Sequence, residues 1–208
     1  MNLKNYYWYF TGALSSKFCD EVIKFANAQK EQQGITGKYQ DKKLDKKEIK
    51  DLKKQRDSNV IWLNQQWVYK EIMPYVNMAN SKAGWNYEID LAEECQFTKY
   101  KLNQHYDWHC DSQFEPYKNH KFYNYNGRIR KLSVTCSLSD SKDYKGGELE
   151  FNFNDPSRKK LENIRECKEI LPKGSIVVFP SFVWHRVKPV TKGIRYSLVI
   201  WNLGKPFK

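Results

Sequence analysis

The chain has 208 residues, the length of one domain, and its 40% hydrophobic and 15% aromatic content is enough to fill a core. No apolar run approaches the ~18 residues a spanning helix needs, which excludes such a helix. Lysine and arginine outnumber aspartate and glutamate 36 to 24, a net +12 that favours acidic partners or polyanions without dictating a fold.

Residues 1–10 carry aromatics where a secretory leader would have an apolar stretch and a small-residue cleavage site. No targeting segment is read, and a cytoplasmic location without membrane association is expected. Ser15 and Ser16 can cap a helix running to about Gln29, with Phe18, Val22 and Phe25 on one face. Over 34–56 the composition turns to lysine, with Lys38, Lys42, Lys43, Lys46, Lys47, Lys50, Lys53 and Lys54. We read a solvated loop or marginal helix, serving as a charged connector, a lid or a polyanion contact. Residues 60–63 read as strand and 65–79 as helix, with Pro74 expected to kink or break it.

Beyond Trp85 the pattern changes to short apolar or alternating runs at 94–100, 105–111, 132–138, 148–153, 175–179 and 196–201. Helices followed by many short strands indicate an α+β, mainly β, architecture whose β part is a sandwich or jelly roll. Cys19, Cys95, Cys110, Cys136 and Cys167 are an odd number with no Cys-x-x-Cys pair. That argues for free, mostly buried thiols and against a disulfide framework or thiolate zinc site.

The chemistry centres on His109 and Asp111. Side chains alternate along a strand, so in the run 105–111 the imidazole and carboxylate share one face while Trp108 and Cys110 take the other. His185 adds a third ligand, and two imidazoles with one carboxylate suit Fe(II) with open positions, or the zinc of a hydrolase. Ten residues later comes Arg195, followed on the same strand face by Ser197, Val199 and Trp201. A buried guanidinium needs an anion, and a dicarboxylate reaching from metal to Arg195 would satisfy both; 2-oxoglutarate has that shape.

The segments Gln96-Phe97-Thr98-Lys99-Tyr100, Tyr106-Asp107-Trp108-His109-Cys110-Asp111 and Tyr144-Lys145-Gly146-Gly147-Glu148-Leu149 occur in that order. The strand at 132–139, Pro172-Lys173-Gly174, Phe179-Pro180, His185-Arg186-Val187 and the closing run 189–201 follow the same text. This series resembles the 2-oxoglutarate and Fe(II)-dependent dioxygenases, specifically their prolyl 4-hydroxylase-like branch. Residues 56–63, with Asn80 and Trp85, look like a weaker N-terminal part of the pattern.

The resemblance implies that His109, Asp111 and His185 bind iron and that Arg195 pairs with the distal carboxylate of 2-oxoglutarate. It places Tyr100 on the co-substrate and Tyr106, Arg130 and Trp201 on a peptide substrate. Some members use a tyrosine of the 132–139 strand to contact the co-substrate; here that strand offers Ser133 and Ser137, and Ser137 is taken as the equivalent contact. Asn103 stands where the family often has glycine. The implied reaction consumes O2 and 2-oxoglutarate, releases succinate and CO2, and hydroxylates peptidyl proline at C4, with ascorbate as an accompanying reductant.

The fold so implied is a double-stranded β-helix over 86–208, supported by a helical region over 1–85, in one domain. A nucleic-acid demethylating oxygenase would suit the net charge, but that branch has a second arginine after the co-substrate arginine, and 196–208 contains none. A catalytically silent binding module on the same fold would have no use for the triad and Arg195. His105 and His120 have no such context and read as surface residues.

Overall fold

The structure is a computed structural model that describes residues 5–39, 43–112, 115–153 and 163–207. Residues 1–4 of the N-terminal segment and 40–42 of the lysine-rich segment lie outside the described residues.

The N-terminal half supplies strand β1 (Trp8–Phe10), helix α1 (Ser16–Asn27), the short strand β2 (Gln32–Gln33), helix α2 (Lys46–Gln55), β3 (Arg56–Asp57), β4 (Asn59–Leu63) and helix α3 (Gln66–Lys82). Strands β5 (Leu91–Ala92), β6 (Cys95–Tyr100), β7 (His105–His109), β8 (Ile129–Ser137), β9 (Tyr144–Gly146) and β10 (Leu149–Asn152) follow. The chain continues through β11 (Ile164–Glu166), β12 (Ile176–Pro180), β13 (Trp184–Val187) and β14 (Val190–Gly193), then β15 (Arg195–Gly204).

Local chemistry explains the helices. The Ser15 hydroxyl accepts from the Phe18 amide at 3.1 Å, satisfying one of the free N–H groups that open α1. Part of the lysine-rich segment is a true helix: Asp45 accepts from the Glu48 amide and Glu48 accepts from the Asp45 amide, a reciprocal cap that opens α2. Pro74 does not break α3, which runs on to Lys82. Proline inside a helix costs about 3 kcal/mol, and the buried stripe Val68, Ile72, Val76 and Ala79 offsets it.

The larger sheet has the order β1-β12-β8-β15-β6-β4-β2, with β5 also paired to β15; the smaller has β11-β10-β13-β7-β3, and β14 pairs with β9. Period two divides the larger sheet cleanly. Phe97, Leu132, Val134, Cys136, Leu198 and Ile200 turn toward α1 and α3 and form the main core with Phe18, Val22, Val68 and Ile72. The opposite face meets the smaller sheet, where Tyr100, Phe151, Val177, Phe179 and Val187 make a second core. Two facing sheets, backed on one side by helices, form the jelly-roll fold expected from the sequence.

The inward face of the larger sheet is unusually polar. Gln96, Thr98, Ser133, Thr135, Ser137, Arg195 and Ser197 are all buried there. Buried polar groups are costly unless they have partners, and here Gln96 pairs with Thr98, Ser133 with Ser181 and Arg195 with Ser197.

Candidate active site

His109 and His185 face each other across the smaller sheet. They are a directly opposed pair in the antiparallel ladder between β7 and β13, and their ring centroids are 4.1 Å apart. In each ring Nδ1 lies against the carbonyl two residues earlier, Asp107 at 2.8 Å and Val183 at 3.0 Å. A carbonyl can only accept, so Nδ1 carries the proton and Nε2 presents its lone pair to the interior.

Asp111 completes the group differently from the sequence expectation. The strand ends at His109, so period-two alternation does not aim the carboxylate. Instead the Asp111 and Ser112 amides both donate to the Ser181 carbonyl at 2.9 Å, which ties this turn to the end of β12. The carboxylate lies 3.7 Å from His109 Nε2 and 3.6 Å from His185 Nε2. One ligand atom from each residue falls within 4.8 Å of the other two, and all three residues are buried.

Burial, with His185 alongside, pushes the His109 imidazole down to about 3, so it is neutral and able to ligate at pH 7. Burial works against the Asp111 charge, but the His185 and His109 rings when protonated, together with Arg130, work for it, and the carboxyl lies below its ordinary range. Asp111 Oδ2 has no hydrogen-bond partner. A buried carboxylate oxygen left open between two imidazole lone pairs fits a divalent cation, and this donor set suits Fe(II).

Arg195 is 3% exposed, donates from Nη1 to Ser197 Oγ at 3.3 Å and lies over the Tyr100 ring at 5.6 Å. Among the described residues no carboxylate pairs with it. Gly147 shapes its surroundings: φ is +67°, and a Cβ there would fall 2.9 Å from Arg195 Cδ. Ser137 stands opposite Ser197 in the β8–β15 ladder and is buried, with its hydroxyl 3.4 Å from the Ser139 carbonyl.

A cavity of about 570 Å3 reaches Asp111 and is lined by Tyr106, Arg130 and Trp201. Tyr106 stacks flat on His109, with centroids 3.5 Å apart and planes 9° apart. Arg130 forms a two-pronged ion pair with Glu93, at 2.7 and 2.6 Å, and lies 3.9 Å over the Trp201 ring. The Tyr117 hydroxyl donates to the same Glu93 carboxylate at 2.9 Å. Tyr100, Ser137 and Arg195 are not among the lining residues and sit in the sandwich interior.

Within this arrangement the profile of the 2OG-Fe(II) oxygenase superfamily matches residues 95–202, more than half of the chain. The chain belongs to that superfamily. As an oxygenase of this group it resembles a PKHD-type hydroxylase of Synechococcus sp. (strain CC9902), 38% identical over 96 residues. It also resembles the PKHD-type hydroxylase YbiX of Escherichia coli O157:H7, 34% identical over 106 residues. Those matches cover 46% and 50% of this chain but only 35% and 40% of the relatives' lengths.

Among solved structures, a Pseudomonas putida prolyl-4-hydroxylase superposes with a TM-score of 0.67 at 16% identity, covering 98% of this chain and 95% of that one. A Trichoplax adhaerens prolyl hydroxylase, in complex with a hypoxia inducible factor peptide fragment, gives 0.61 at 18% identity, with coverage of 96% and 84%. The oxygenase fold is therefore that of the prolyl 4-hydroxylase-like jelly rolls, and the family implies Fe(II), 2-oxoglutarate and O2.

Several residues of the oxygenase cavity carry no local signal in the sequence. Glu93 is 37 residues from Arg130, and Tyr117, His120 and Tyr125 reach the cavity only through a loop folded over it, while Trp62 and Gln96, inside the matching segments, arrive there by sheet pairing. His120 thus lines the cavity and is not merely a surface residue, and Cys110, half-buried, also borders it. His105 is half-buried away from the cavity, its ring nitrogens near the Asn103 and Lys54 carbonyls. Among the described residues no helix is long and apolar enough to cross a membrane.

Proposed function

We propose that this chain is a 2-oxoglutarate-dependent dioxygenase that hydroxylates proline in a peptide or protein at C4, releasing succinate and CO2. The observation that carries the reading is the pairing of the His109, Asp111 and His185 cluster with a buried Arg195 that has no carboxylate partner among the described residues. The prolyl hydroxylases sharing the fold, one of them solved with a peptide, support the substrate class.

His109 and His185 would hold the iron through Nε2, with their Nδ1 protons fixed on carbonyls, and Asp111 would supply the third ligand. Iron and 2-oxoglutarate, when bound, supply O2 activation coupled to oxidative decarboxylation. Arg195 would pair with the distal carboxylate, with Tyr100 and Ser137 beside it on the same sheet face. A guanidinium without its own counterion is poised for this, because its burial cost is recovered only when the anion arrives.

Tyr106 keeps the His109 ring in plane, while Arg130 and Trp201 form a rigid wall over which the substrate chain would lie. With substrate seated, these walls would exclude bulk water from the reacting carbon. One domain over 1–208 would carry the activity, with ascorbate as reductant. Five free thiols suit a reducing compartment, and cytoplasm is the proposed location.

The test is anaerobic reconstitution with Fe(II) and 2-oxoglutarate, then admission of air and mass spectrometry of proline-containing peptides alongside methylated oligonucleotides. Gain of one oxygen on proline, dependent on 2-oxoglutarate and absent in His109→Ala, is the expected result. Demethylation of the oligonucleotides alone would replace this reading with a nucleic-acid one, and no succinate under any condition would leave a silent binding module.

A further inference from the structure

Arg56 is a second buried guanidinium without a carboxylate partner among the described residues, and the proposed chemistry does not use it. It is 4% exposed. Its three hydrogen bonds go to neutral acceptors: Nε to Ser58 Oγ at 3.0 Å, Nη1 to the Ile35 carbonyl at 2.8 Å and Nη2 to Gln96 Oε1 at 3.0 Å. Gln96 is itself steadied by a 2.8 Å bond from Nε2 to Thr98 Oγ1. A guanidinium has five N–H donors, so part of its capacity is uncommitted.

The surroundings are built to hold this charge in place. A Cβ on Gly34 would lie 2.4 Å from Ser58 Oγ and 2.7 Å from Arg56 Nε, so only glycine allows the backbone to pass there. The guanidinium lies 4.6 Å over Tyr106 and lines the cavity with Thr36, Gln96 and Trp62. Thr36 Oγ1 is buried on the same wall and has no hydrogen-bond partner. Neutral acceptors orient a buried cation but do not cancel its charge, and an anion would do so.

We infer that Arg56, assisted by Thr36, is a carboxylate-recognition subsite for the polypeptide substrate. The substrate is then an acidic segment, with Asp or Glu close to the hydroxylated proline. This rests on the proposed prolyl hydroxylation and narrows its substrate class. The chain carries +12, Arg56 directly follows the lysine-rich helix α2, and Lys121 borders the same cavity; of the acidic lining residues, Glu93 is held by Arg130 and Asp111 by the metal cluster, which leaves Glu94. A guanidinium fork matches a carboxylate in a way that the amide of Gln or Asn does not.

The experiment uses the Fe(II)- and 2-oxoglutarate-loaded protein and matched peptides with Glu or Gln on either side of a single proline. Wild type should favour the Glu peptide by at least about tenfold in kcat/KM, mostly through KM. In Arg56→Gln the ratio should fall to near one, with Arg56→Lys and Thr36→Val in between. Because the ratio is taken within each variant, it does not depend on how much active protein that variant yields. Equal use of both peptides by wild type, or a ratio that survives Arg56→Gln, would overturn the subsite while leaving prolyl hydroxylation standing. An equal loss on both peptides in Arg56→Gln would make Arg56 a support for Tyr106 and also overturn it. Failure of wild type on every prolyl peptide would instead remove the underlying reading, and the subsite with it.

Discussion

Tyr106 lies parallel to His109, ring on ring at 3.5 Å and 9°, so the imidazole is fixed on one side by an aromatic face and at Nδ1 by the Asp107 carbonyl. The phenol hydroxyl is not what steadies the ring; the flat contact is. Tyr106→Phe should therefore keep metal affinity within about twofold, whereas Tyr106→Ala should weaken it about five- to tenfold, equivalent to roughly 1–1.4 kcal/mol. Anaerobic titration with Fe(II) or Co(II) checks this, with His109→Ala marking complete loss of the site.

Arg195 is expected to set the affinity for 2-oxoglutarate. Arg195→Gln should raise the apparent dissociation constant by about 30- to 100-fold, or roughly 2–3 kcal/mol for losing a charge-assisted pair. Metal affinity should change little, because Arg195 touches none of the three ligands in the described contacts. Gly147→Ala should give a milder version of the same defect, since its Cβ would press on Arg195 Cδ and the backbone at φ +67° resists a side chain. Calorimetric titration of the metal-loaded protein separates the two effects.

Glu93 anchors the cavity wall. Its carboxylate holds Arg130 through two short bonds and Tyr117 through a third, and only 7% of its side chain is exposed. Glu93→Ala strands a largely buried cation and should cost about 3 kcal/mol of stability. Removing both charges in Glu93→Ala with Arg130→Met should recover much of that loss, with Arg130→Met as the second single variant. Urea unfolding of the single and double variants completes the cycle, and additivity of the two changes would show that the pair is uncoupled.

Acid sensitivity should appear at Glu31, which receives Lys99 at 2.8 Å and Lys101 at 3.1 Å. The hydrogen bond from Lys99 leads the causes that hold its carboxyl below the ordinary value. A depressed folded-state pKa adds stability that is present above the unfolded value of about 4.3 and lost as pH falls through the folded one. At pH 7 the half-exposed triad should be worth about 0.5–1 kcal/mol. Glu31→Gln should lose that amount at neutral pH and converge on wild type as pH falls through the lowered folded-state pKa, a convergence that denaturant midpoints across pH would display.

The sequence by itself determined what neighbours along the chain can encode. The Ser15 cap, the period-two runs and the ordered blocks from Gln96 to Trp201 identified helices, strands and the jelly-roll fold, because hydrogen bonding and side-chain alternation act over a few residues. The same blocks named His109, Asp111, His185 and Arg195, three of them on short strands and Asp111 on the turn after one.

What only the tertiary structure decided involves partners far apart in the chain. Asp111 is aimed by Ser181 and not by strand alternation; α3 survives Pro74 because its stripe is buried; Glu93 and Gln96 meet Arg130 and Arg56 across sheet and cavity. These contacts join residues 37 to 70 positions apart, and no local pattern announces them. Burial then sets their chemistry, since a guanidinium in water is ordinary and the same group enclosed without a carboxylate demands an anion.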